Sequence, residues 1–119
     1  MRYAFLLYSD PTAGPEEDSS EQADQMKQWY AYSEALATSA GMAAGEALQP
    51  DTVATTVRVR DGRTTTTDGP FAETKEVLGG FYIVDVPDLD SAIEWAARCP
   101  LAPYGSVEVR PIMEIPPQA

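Results

Sequence analysis

The sequence predicts an α+β fold in which two helices return the chain to one sheet, in the order β, α, β-hairpin, β, α, β. Three observations carry that reading. Short runs at Tyr3 to Tyr8, Thr52 to Arg60, Gly80 to Val86 and Gly105 to Ile115 alternate as strands do. Stretches opening at Ser19 and Asp88 repeat apolar residues at three- and four-residue steps, the spacing of a helix with one buried face. Asp61-Gly62 and Asp68-Gly69-Pro70 supply the turn chemistry between them. With 119 residues and no linker, the whole of 1–119 is expected to be a single domain.

Tyr3 to Tyr8 sets Tyr3, Phe5 and Leu7 on one face and Ala4, Leu6 and Tyr8 on the other. Both faces are apolar, so this is a central strand covered on two sides. Ser9 to Ser20 is a loop by its Pro11, Gly14 and Pro15, and it carries Asp10, Glu16, Glu17 and Asp18. Ser19 and Gln22 fit a capping box, and the helix that follows offers Ala23, Met26, Tyr30, Ser33, Ala37 and Ala40 as its apolar face, joined by Trp29 and Leu36. Gly41 ends it.

Glu46 to Pro50 reads as a short extended link. Thr52 to Arg60 and Arg63 to Thr67 then form a hairpin, with Val53, Val57 and Val59 in phase and Arg58 and Arg60 facing the other way. Gly80 to Val86 is a strand that Pro87 stops. Asp88 caps the second helix, whose expected stripe is Leu89, Ala92, Ile93 and Ala96, and Pro100 ends it. In the last strand Pro111 cannot donate to a ladder, which marks an edge or a strand end. Right-handed crossovers through two helices onto one sheet give a ferredoxin-like βαββαβ unit with an extra hairpin strand. Helices on one side only leave the other sheet face apolar and bare, and packing two sheets face to face in a homodimer would cover it.

Charge and composition exclude several functions. With 19 Asp and Glu against 8 Lys and Arg, the chain is a poor partner for the phosphates of nucleic acid or of an anionic membrane. No apolar run reaches the roughly 20 residues needed to cross a bilayer, and no basic and apolar leader precedes the first strand. The expected location is the cytoplasm. There is no histidine, which removes the Ser-His-Asp triad and histidine-based zinc sites. Cys99 is the one cysteine and is expected as a small buried hydrophobe. No metal and no cofactor is expected, since the glycine patterns for nucleotides are also missing.

Functional groups are densest between Thr64 and Gly80. The rigid Asp68-Gly69-Pro70 turn aims Phe71, and Glu73, Lys75 and Glu76 follow within a few residues. One reading makes Asp68 a catalytic acid or base, desolvated by Phe71 and Tyr82, with Lys75 and Arg110 holding an anionic or carbonyl group. Tyr8, Trp29, Arg58 and Glu73 complete the candidate ligand-binding set. The other reading gives Asp68 only the backbone N–H groups of its own turn, leaves Glu73 and Lys75 as solvated charges, and makes the molecule a non-catalytic binding or regulatory module.

The stretches Asp68-Gly69-Pro70-Phe71-Ala72-Glu73-Thr74-Lys75-Glu76, Leu78-Gly79-Gly80-Phe81-Tyr82 and Gly105-Ser106-Val107-Glu108-Val109-Arg110-Pro111 resemble the signatures of the DGPF branch of the YCII-related family. The resemblance spans nearly the whole chain. It implies a dimeric α+β barrel built on the ferredoxin-like fold, and no particular reaction. Some relatives are proposed to act through a histidine and an aspartate. This chain has no histidine to carry over, which leaves Asp68 as the sole inheritor of such a role.

Overall fold

The computed structural model describes residues 1–16 and 18–118; the expected loop residue Glu17 and the final Ala119 of the expected domain lie outside them. Its elements are β1 (Arg2–Ser9), α1 (Ser20–Ser39), β2 (Ala44–Ala47), a 3₁₀ turn (Asp51–Val53), β3 (Thr55–Arg60), β4 (Arg63–Asp68), β5 (Val77–Asp85), α2 (Leu89–Ala97) and β6 (Ser106–Pro111). Four strands make a sheet in the order β2-β5-β1-β6, antiparallel at every step, and β3 pairs only with β4. This α+β arrangement is consistent with a ferredoxin-like unit.

β1 is central, as its two apolar faces require. Tyr3, Phe5 and Leu7 are buried under the helices with Leu36, Val84, Ala92 and Cys99, while Ala4, Leu6 and Tyr8 are half-buried on the helix-free face beside Phe81 and Ile83. Pro111 ends the edge strand β6. The caps follow the sequence closely. Ser19 Oγ accepts from the Gln22 N–H at 3.0 Å, and the Gln22 side chain reaches back to the Asp18 N–H at 2.7 Å. The Asp88 carboxylate accepts from the Ser91 N–H at 2.8 Å, which holds its pKa below the usual range.

Three expectations are corrected. The stretch Glu46 to Pro50, expected to be a link, begins with the second half of β2, which completes the sheet against β5. The hairpin therefore stands outside the main sheet, with Val57 and Val59 mostly exposed and Arg58 on its half-buried side. Finally, both helices sit rotated from their expected faces. On α1 the buried residues are Tyr32 and Leu36, while Tyr30 and Met26 face out; on α2 Ala92 and Ala96 are buried, and Leu89 and Ile93 are about half exposed. Tyr32 causes the shift on α1. Its hydroxyl donates to the Trp95 carbonyl at 2.8 Å and its ring stands edge-on to Tyr82 at 5.6 Å, so a residue outside the expected apolar face anchors the two helices together.

The projecting hairpin makes the chain broad and flat, 47 × 47 × 18 Å, with a radius of gyration of 16.6 Å. A compact chain of this length would have about 13–14 Å.

Candidate functional site

The Asp68 loop is held at its root. Gly69 takes φ +98°, which an L side chain rarely adopts, and its N–H donates to the Ala54 carbonyl at 2.7 Å. The Thr56 hydroxyl closes the turn by donating to the Gly69 carbonyl at 2.8 Å. Farther along, the Ser106 hydroxyl donates to Glu76 Oε1 at 2.8 Å and ties the loop to β6. Between this loop, the 3₁₀ turn and the helix-free side of the sheet lies a cavity of about 560 Å³. Leu48, Val53, Pro70, Leu78 and the rings of Tyr8 and Phe71 give it mainly apolar walls, with Asp51, Thr55 and Thr56 as polar groups. That volume falls within the range of small-molecule sites.

The candidate residues do not converge. Tyr8 and Phe71 line this cavity, Phe71 with 80% of its surface exposed. Arg58 donates weakly to the Phe71 carbonyl at 3.4 Å, linking hairpin to loop. Asp68 is exposed at the end of β4, opposite Thr55 in the ladder, with no side-chain hydrogen bond among the described residues. Two of the partners expected for Asp68 are thus missing among the described residues. No backbone N–H caps onto Asp68, and Tyr82, expected to desolvate it, belongs to the opposite face of the sheet. Glu73 and Lys75 are exposed and form no ion pair among the described residues. Asp10 is instead held below the usual carboxylate range, first by the Thr12 hydroxyl at 2.7 Å and the Thr12 N–H at 2.9 Å, and last by the charge of Lys75. Arg110 stands beside Ala4 on the helix-free face, 3.7 Å from Glu108, an exposed pair of small energetic worth.

Trp29 and Tyr82 line a second cavity, of about 480 Å³, between α1 and the sheet. The Tyr82 hydroxyl is 2.7 Å from Ser33 Oγ, and burial raises the Tyr82 pKa, so its proton is retained. Asp51 was missed in the sequence because a polar residue after Pro50 reads as linker. Only the fold brings it into a cavity wall. Cys99 is buried as expected, and desolvation pushes its thiol up to about 11. Among the described residues no helix is long and apolar enough to cross a membrane, and no three His, Cys, Asp or Glu side chains gather as metal ligands would.

Comparison with known proteins agrees with the resemblance to the YCII-related family. The YCII-related domain matches residues 1–116. An uncharacterized protein of Rhizobium meliloti is 37% identical over 114 residues, covering 94% of this chain and 92% of its own.

Proposed function

This chain belongs to the YCII-related domain family, and on that premise we propose that it is a single-domain homodimer of the α+β-barrel type that binds a small, mainly apolar molecule in the cavity beside the Asp68 loop. The observation that carries this reading is the cavity itself, walled by Tyr8, Val53, Pro70, Phe71 and Leu78 next to a turn whose backbone is fixed at Gly69. Apolar walls supply affinity and a few polar groups supply orientation. Asp51 is the charged residue in its wall and Arg58 reaches the Phe71 carbonyl beside it; Glu73 and Lys75 follow Phe71 on the same loop, and a second copy packed on the helix-free face, where Arg110 stands, would bring further groups close to it.

Catalysis is the narrower form of the same reading, with Asp68 as acid or base. Its support is position: its ladder partner Thr55 and its neighbour Pro70 both line the cavity. A ligand that binds only the folded state raises the melting temperature as its concentration passes Kd. A metabolite panel should therefore yield a compound that stabilises the wild type, and the shift should vanish in Leu78→Asp, which places a charge in the wall. A panel without any stabilising compound, or a shift unchanged in Leu78→Asp, refutes the site. Turnover of the bound compound that is lost in Asp68→Asn while binding persists identifies an enzyme; binding without turnover identifies the non-catalytic module.

A further inference from the structure

The second cavity lies across the sheet from the Asp68 loop and shares no lining residue with the first. Its shape follows from small residues. Ala47 lies on the helix side of the edge strand β2, and Gly79 and Gly80 continue that bare floor on β5, while the Tyr82 ring covers Gly45. Gly80 has a structural reason, since a Cβ there would come 2.8 Å from the Glu46 carbonyl. Gly79 has no such crowding, its Cβ position meeting only the Leu7 carbonyl at 4.0 Å. Above the floor stand Trp29, half-buried, and Tyr30, 70% exposed.

At the inner end the Ser33 and Tyr82 hydroxyls bond each other. One hydroxyl donates in that bond, which leaves the other's hydrogen free to give. No Lys or Arg lines the cavity. Glu46 borders it, but its position opposite Phe81 turns its side chain to the helix-free face.

We propose that this slot is a second ligand site, for an uncharged planar aromatic molecule bearing a hydroxyl or carbonyl oxygen. A flat floor of backbone under aromatic rings accepts a ring by stacking and edge contact. The spare hydroxyl hydrogen of the Ser33–Tyr82 pair meets the ligand's oxygen, and burial, which raises the Tyr82 pKa, keeps that phenol protonated. A net charge of −11 and the lack of a lining cation disfavour an anion.

The probe is 2-naphthol, with 2-naphthalenesulfonate as its charged counterpart, and the readout is the pair of indole N–H signals in a proton–nitrogen NMR spectrum. The chain has two tryptophans, and Trp95 lies on α2 beneath the Arg98 guanidinium at 4.2 Å, away from the slot. Titration with 2-naphthol should shift the Trp29 signal and leave the Trp95 signal in place. The sulfonate should bind at least about 10-fold more weakly, and the double change Ser33→Ala with Tyr82→Phe, which removes both hydroxyls, should weaken 2-naphthol by about 3- to 10-fold, the worth of one hydrogen bond. Ala47→Leu should fill the slot and abolish the shift. Should that variant fail to fold, cross-relaxation from 2-naphthol to the Trp29 and Tyr82 ring protons of the wild type serves in its place. An unmoved Trp29 signal, equal movement of both signals, or equal binding of the sulfonate overturns the proposal. None of these results depends on whether the Asp68-side cavity is occupied.

Discussion

Gly41 is more tightly constrained than Gly69 of the Asp68 loop, whose Cβ position is open. It takes φ +58°, and a Cβ on it would lie 2.9 Å from the Asp85 carbonyl and 3.1 Å from the Asp85 Cβ. Gly41→Ala should therefore cost about 1–3 kcal/mol in denaturant unfolding, from a left-handed backbone and a contact with main chain that cannot yield. Asp68→Asn should stay within about 0.5 kcal/mol of wild type, because the carboxylate is exposed and makes no hydrogen bond in the chain. A larger loss would mean that a turn-capping bond forms in solution. Cys99 gives a pH test. Its thiol stays protonated in the folded protein up to about 11, against an ordinary 9.0. The unfolded chain releases that proton first, so the contribution is complete below pH 9 and is lost as pH rises from 9 to 11, by at most about 1.4 kcal/mol per pH unit. Tyr32 and Tyr82, also raised by burial, act in the same direction at higher pH. Melts at the two ends of that window should show a shallower fall in Cys99→Ala than in wild type.

The elements were legible wherever a local interaction defines them. Ser19, Asp88 and Gly41 mark helix ends by side-chain or backbone chemistry confined to one turn, and Asp61 and Gly62 both take the positive φ that the hairpin turn demands. Illegible were the elements chosen by distant partners. β2 reads Ala-Gly-Glu-Ala, a sequence without β propensity, and it is a strand because β5 pairs with it and because Gly45 leaves room for the Tyr82 ring. The rotation of α1 was hidden for the same reason, since Tyr32 owes its burial to Tyr82 and to a carbonyl on α2. The candidate site split likewise. Period-two alternation separates Tyr8 from Tyr82 by face, yet sequence alone could not say which face the loop would join. Gly45→Ala tests this account of β2. Its new methyl would lie 2.5 Å from the Tyr82 ring, and pushing that ring out of the core should cost about 1–3 kcal/mol. Thermal unfolding equal to wild type would show that β2 docks without the glycine.

At the scale of the molecule, the unresolved quantity is apolar surface. Leu6, Phe81 and Ile83 lie on the face without helices, and Val53, Val57 and Val59 are each more than half exposed on the hairpin side of the chain. A slab 18 Å thick has helices for one side only, and in the proposed homodimer a two-fold pairing of identical helix-free faces, the simplest closed arrangement, would cover the other. Charge opposes this. Two copies, each at −11, repel, and association must draw on apolar burial to overcome it. The balance yields a prediction that association through ion pairs would not share: raising salt from about 20 mM to about 500 mM should tighten the dimer, because screening removes the repulsion and leaves the apolar attraction in place. Sedimentation at micromolar concentration should give twice the chain mass of 12.9 kDa, and Leu6→Asp, which puts a carboxylate in the centre of the face, should give the single mass with its fold intact by circular dichroism. A monomeric wild type, or a dimer that salt dissociates, would mean that the helix-free face is not the interface.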